Sequence, residues 1–246
     1  MGIADGKDND RNERDVMELH LEVRGVGIMI DAQYLTVSEL DDIIDGSETP
    51  IVVINRELIR NRNQCVFIDH RRSSEEMVSH LLALGHTQIA FVAGICGSPT
   101  GERRLRGYRD ALRKAGISPD PNLVIRGAWS TESGYEAGRQ LLAQNSPFTC
   151  VLAANDDMAI GLAKAFQEAG KSLPGDISLA GFDDSVIGKY FTPSLTTMHV
   201  PMDDMIRDAV EILLNPNEER IFSHLGTLVN RDSVARRVDG VNESTS

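Results

Sequence analysis

The segment Ala154-Asn155-Asp156-Asp157-Met158-Ala159-Ile160-Gly161 puts an amide and two carboxylic acids where an apolar run ends and an amphipathic stretch begins. Gly181-Phe182-Asp183-Asp184 repeats the arrangement after the next apolar run. At the carboxyl end of a strand such groups face the crevice in which wound sheets hold ligands, and they exchange hydrogen bonds with hydroxyls. Helix capping by Asn155 or Asp156, with Asp157 favoured near the positive helix end, accounts for the first cluster alone. Two polar strand ends in succession favour a common ligand crevice over two unrelated caps. Neighbouring carboxylates also raise a glycosidase, whose acid and nucleophile must face each other across the substrate. Adjacent strand residues point to opposite sides, which weakens that reading.

Two further residues could serve a ligand. Arg104 stands in the first turn of a basic stretch, Glu102 to Lys114, next to the loop that follows the run Ile89 to Val92. The other bases there mix with Glu102 and Asp110 and lack interleaved aromatics, so they read as a solvated helix face rather than a nucleic-acid contact. Trp129, the only tryptophan, lies between two elements and is placed either to stack on a ligand or to anchor its loop. The six histidines show no metal-ligand spacing, and no G-x-S-x-G, P-loop or G-x-G-x-x-G occurs. No cofactor is expected.

The elements that must position these residues are legible as an alternation. Val26 to Ile30, Ile51 to Ile54, Val66 to Ile68, Ile89 to Val92, Leu123 to Ile125, Cys150 to Ala153, Ile177 to Ala180 and Leu195 to Val200 predict strands, several buried on both faces. Capping boxes at Thr36-Val37-Ser38-Glu39 and Ser73-Ser74-Glu75-Glu76 predict helix starts. Ser98-Pro99 predicts another, and further helices fit Thr131 to Leu142, Asp157 to Ala169 and Met202 to Leu214. The alternation is that of an α/β parallel sheet. The first predicted element is a helix through Val16, Leu19 and Val23, where a wound sheet ordinarily opens with a strand. Residues 238–246 read as a disordered tail.

The 246 residues are 41% hydrophobic and 25% charged, which describes a globular chain. The net charge of −12 argues against a broad nucleic-acid surface. No run approaches the ~18 to 20 apolar residues of a membrane span, and the amino end lacks the pattern of a secretory signal, so a cytoplasmic location without membrane contact is expected. Cys65, Cys96 and Cys150 are far apart and read as reduced thiols.

Leu84-Gly85-His86-Thr87-Gln88-Ile89-Ala90, Glu102-Arg103-Arg104-Leu105-Arg106-Gly107-Tyr108, the two acidic clusters and Pro193-Ser194-Leu195-Thr196-Thr197 together resemble, in order and spacing, the effector-binding region of LacI/GalR-family transcription regulators. The resemblance runs from about Asp5 to Arg237. Leu40-Asp41-Asp42-Ile43-Ile44-Asp45 and Ile68-Asp69-His70 are most similar to a repressor of β-glucoside genes within that family.

The resemblance implies a type I periplasmic-binding-protein-like fold: two parallel-sheet lobes with three crossovers, near Gly94–Ser98, Val200–Met202 and 217–227. The amino-terminal lobe would comprise 1–95 and 200–216, and the carboxyl-terminal lobe 96–199 and 225–237. A small-molecule effector, a sugar such as a β-glucoside or a phosphorylated sugar, would lie between them. Asn55, Arg104, Trp129, Asn155 and Asp183 match the family's effector positions. Family members open with a DNA-binding headpiece and a complete amino-terminal lobe. This sequence matches from the lobe's second helix, so the resemblance implies a truncated lobe, operator binding only through a missing headpiece, and a homodimer for the full-length protein. A free-standing sugar-binding protein of a transport system is the alternative, and a glycosidase the third reading.

Overall fold

The computed structural model describes residues 13–15, 27–144, 146–216 and 218–237. The predicted helix through Val16, Leu19 and Val23 and the predicted tail 238–246 lie outside the described residues. The chain divides into two compact units: Met1–Asp69 with Gly97–Thr100 and Pro201–Gly226, and His70–Cys96 with Gly101–Val200 and Thr227–Ser246.

In the first unit, strands β1 (Ile28–Ile30), β2 (Ile51–Ile54), β3 (Cys65–Ile68) and β9 (Phe222–His224) form a parallel sheet in the order β1-β2-β3-β9. Helix α1 (Val37–Asp45) joins β1 to β2, and α7 (Met202–Leu214) leads into β9. The capping box at α1 forms as expected: the Thr36 hydroxyl accepts from the Glu39 amide, and the Glu39 carboxylate accepts from the Thr36 amide at 2.8 Å. Leu35, Leu40, Ile44, Ile51, Val53, Leu58 and Cys65 close the core of this unit.

The second unit holds α2 (His70–Ala83), β4 (Ile89–Ala93), α3 (Pro99–Lys114), β5 (Val124–Arg126), α4 (Thr131–Ala143), β6 (Cys150–Ala153), α5 (Asp156–Glu168), β7 (Ser178–Asp183), α6 (Val186–Tyr190), β8 (Thr196–His199) and β10 (Thr227–Val229); the first residues of α3 fall in the first unit. Its six strands run β10-β8-β7-β6-β4-β5, parallel throughout except β10 against β8. Apolar runs such as Cys150–Ala153 and Ser178–Phe182 are buried along their whole length, as central parallel strands covered on both faces must be.

Two expectations need correction. Residues 70–95 belong to the second unit rather than the amino-terminal lobe, because β4 pairs with both β5 and β6. The resemblance implied a crossing near Gly94–Ser98; the chain changes unit at Asp69/His70, with strand running almost directly into helix, and Gly97–Thr100 returns to the first unit. Ser73 and Ser74 do not start α2, which begins at His70; both are fully buried inside it. At Ser74 small size is what counts, since Gly107 of α3 lies against it, and a Cβ there would come within 2.8 Å of Ser74 Cβ and run into Arg71 O. The short elements β9, β10 and α6 had no periodicity to betray them.

Helices α4 and α5 meet backbone to backbone. A Cβ on Gly161 would strike Thr131 O, and one on Gly134 would strike Met158 O. The two helices thus fix each other's amino ends, where Trp129 and Asn155 stand.

Candidate functional site

The loops at the carboxyl ends of β4 to β7 gather four of the five predicted residues in the second unit. Arg104, on the second turn of α3, is 4% exposed. Its guanidinium donates through Nε to His70 Nδ1 (3.3 Å), through Nη1 to Ala154 O, and through Nη2 to Asp183 Oδ1 (3.1 Å). Three of its five N–H donors are therefore engaged inside the protein. Its Cζ lies 4.3 Å from the Phe182 ring centroid and 6.0 Å from that of Trp129. Burial lowers the Arg104 pKa, and the Asp183 charge opposes the change. His70 is fully buried, and that burial, with the positive charges of Arg104 and Arg103, holds its pKa well below the ordinary imidazole value. A neutral His70 accepts at Nδ1 and so carries its proton on Nε2.

Asp183 ends β7 with its side chain 45% exposed. One carboxylate oxygen is tied to Arg104. Asn155 caps α5: its Oδ1 accepts from the Met158 amide (3.0 Å), and its Nδ2 donates to Trp129 O (2.9 Å). Both ends of this amide serve the frame, which is the capping role together with a hold on the neighbouring turn. Trp129 presses its indole on Gly94 and Gly101; a Cβ at Gly94 would run into the ring, and one at Gly101 would stand 3.2 Å from it. Here glycine is required by close approach.

Asn55 belongs to the first unit, at the end of β2. Its side chain hydrogen-bonds Asp31, which follows β1. Next to it, buried Arg56 donates to Leu35 O and, at 2.5 Å, to Ala32 O, tying down the loop after β1. Three of the five predicted residues have a left-handed backbone: Asn55 (φ 66°), Trp129 (φ 65°) and Asp183 (φ 103°), with Asp184 (φ 60°) following. Non-glycine residues in this region store strain, which concentrates where side chains are aimed for function.

Asp156, beside Asn155, is buried to 1% exposure and points into the fold. Its Oδ1 accepts from Thr197 Oγ1 and its Oδ2 from the Ser185 amide, both at 2.7 Å. Burial pushes its pKa up to about 7 against these hydrogen bonds. Asp157 is exposed in the first turn of α5. Sequence reasoning gave no role to His70, Phe182 and Arg56. A lone histidine at a helix start and an apolar strand residue carry no signal, and Arg56 stood within reach only as the residue after Asn55. Among the described residues no group of three or more His, Cys, Asp or Glu could hold a metal, and no helix is long and apolar enough to cross a membrane.

Chemically the second-unit cluster offers a fixed carboxylate with a free lone-pair face, an aromatic wall, and a cation already neutralised by that carboxylate. Such a surface accepts from hydroxyl groups.

Comparison with known proteins supplies the context. The profile of the periplasmic binding protein-like domain matches residues 78–234. The chain is 39% identical over 236 residues to the HTH-type transcriptional regulator AscG of Escherichia coli K12, spanning 94% of this chain and 70% of that protein. It is 33% identical over 241 residues to the regulator GalR of the same organism, spanning 95% and 69%. A solved sugar-binding transcriptional regulator of the LacI family from Escherichia coli, complexed with phosphate, superposes with a TM-score of 0.87 at 38% identity, covering 95% of this chain and 86% of that one.

Proposed function

From a chain that belongs to the LacI/GalR family of transcriptional regulators, we propose an effector sensor whose ligand is an uncharged sugar. The observation that carries the reading is Asp183: a half-exposed carboxylate on a strained strand end, aimed by a buried arginine. A carboxylate accepts from two neighbouring hydroxyls of a sugar ring, and the Trp129 indole offers a stacking face to its C–H side. Asn155 works behind this surface by holding the Trp129 turn. Asn55, in the first unit, stays in the proposal on the family motif.

Charge favours a neutral sugar over a phosphorylated one. Arg104 is compensated by Asp183, and the nearby Arg231 by Asp184, while Asp156 adds a third carboxylate. A phosphate group would meet cations already paired and acids left over. β-Glucosides are the first class to try. Binding would shift the population of regulator conformations and thereby control operator DNA through the family's headpiece; near-complete switching takes about 5.5 kcal/mol of differential affinity. The transport-protein alternative is not favoured, since the relatives are transcriptional regulators, and the same relatives point away from an enzyme.

Calorimetry against β-glucosides, phosphorylated sugars and inorganic phosphate tests the reading. A neutral glycoside is expected to bind and to change the single-tryptophan emission saturably. Asp183→Asn is expected to weaken it more than tenfold, the loss of about 1.5 to 3 kcal/mol that a charged hydrogen bond contributes, while Arg109→Ala leaves it unchanged. Preferential binding of phosphate or phosphorylated sugars, or equal effects of both substitutions, would overturn it.

A further inference from the structure

The loop that carries Asp183 is held by a buried acid, Asp156, to which the reading above gives no contact with the ligand. Asp183 and Asp184 are both left-handed, so the loop needs restraint to persist. Asp156 supplies it from the first turn of α5, taking the Ser185 amide on one oxygen and the Thr197 hydroxyl on the other. Ser185 in turn caps α6 by accepting from the Gly188 amide. Thr197 is itself buried, and its Oγ1 also accepts from the Asp184 amide at 3.4 Å. Gly181 on β7 makes room for the carboxylate, since a Cβ there would run into Asp156 Oδ1.

We propose that Asp156 is a proton-operated latch on this loop: ionised, it pins Ser185 and Thr197, and protonated, it lets go of the Ser185 amide. Both oxygens accept in the latched arrangement, which only the carboxylate satisfies fully. A protonated carboxyl must donate, and the side-chain oxygens beside it are Thr197 Oγ1, whose single proton already points at Asp156, and Ser185 Oγ. A proton on Oδ1 would have to turn the Thr197 hydroxyl, which the Asp184 amide also holds, so the proton goes to Oδ2 and the Ser185 amide is given up. Burial places the ionisation near neutrality. The charged and titratable groups around the latch are Asp183 and Asp184 on the loop, Arg104 on α3 holding Asp183, and His199 on β8 and Arg231 beyond β10 holding Asp184. His199 reaches this loop through Asp184, so its contribution has to be separated.

The inference stands without any ligand. On the sugar reading, on which this one consequence rests, affinity falls as the pH drops through the Asp156 midpoint.

Nuclear magnetic resonance on the full chain tests it. The Asp156 carboxyl carbon and the Ser185 amide are expected to titrate together near pH 7, with amide protection at Ser185, corrected for intrinsic exchange, falling about tenfold per unit of pH below the midpoint as the ionised fraction does. Asp156→Asn is expected to abolish the Ser185 titration and His199→Gln to preserve it. A Ser185 amide that ignores the Asp156 titration, an Asp156 that ionises in the ordinary carboxylate range, or a loop transition lost in His199→Gln would overturn the latch. The wild-type titration decides alone if Asp156→Asn fails to fold. A confirmed latch in a chain that binds no sugar would sink the proposed function and leave the latch standing.

Discussion

Arg104 shows what a residue type conveys and what it omits. Its type and its place near a strand end marked it as a ligand contact, yet the structure commits three of its donors to His70, Ala154 and Asp183 and stacks its plane on Phe182. The residue is the brace of the strand end that carries Asp183. Arg104→Lys keeps the charge and loses the fork, because one ammonium cannot span three acceptors in different directions. Leaving buried acceptors without the guanidinium fork in this way is expected to cost about 1 to 3 kcal/mol in urea denaturation, against no more than ~0.5 kcal/mol for Arg109→Ala. Equal, small effects would show that the brace is dispensable. Of the candidate site, Trp129, Asn155 and Asp183 stood out as candidates because an amide, an acid and a lone tryptophan follow apolar runs, whereas Asn55 came only from the family resemblance. The left-handed backbones of Asn55, Trp129 and Asp183 were not readable, since φ depends on the turn that tertiary contacts impose.

At the scale of elements, hydrophobic alternation reached the strands well, and a cap such as Thr36 announced its helix because the interaction is local in sequence. What failed was non-local. Ser73 and Ser74 spell a capping box yet lie buried inside α2, Ser74 as a small face under Gly107; the unit boundary at Asp69/His70 has no punctuation because strand pairing, not loop chemistry, decides where β4 belongs. The α4–α5 crossing is another long-range fact, written only as glycines. Gly161→Ala would force a methyl into Thr131 O and part the two helices. A loss of about 1 to 3 kcal/mol is expected, as for overpacking elsewhere, with the Trp129 emission shifted because α4 carries its turn. An unshifted emission and unchanged stability would show that the helices separate without cost.

For the whole molecule, Asp156 ties stability to pH. Its folded pKa is raised above the ordinary 3.8 to about 7, so between those values the folded chain holds a proton that the unfolded chain has lost. Its contribution is therefore present at low pH and fades as pH rises through 7. His70 acts in the opposite sense: its folded pKa lies below 6.5, so stability is lost as pH falls below that value. Comparing Asp156→Asn with wild type cancels the histidine. The variant is expected to gain on wild type from pH 4 to pH 8, by up to about 4 kcal/mol, since each tenfold change in proton affinity between the folded and unfolded chain is worth about 1.4 kcal/mol. A pH-independent difference in denaturation experiments would refute the assignment. Another property of the molecule follows from how Asn155 holds its neighbour. The grip is on the Trp129 carbonyl oxygen, an atom that every amino acid carries. Heredity can rewrite the ring at that position and leave the grip intact, so under the proposed function a lineage would trade one effector for another through a single codon before the hold on the turn has to change.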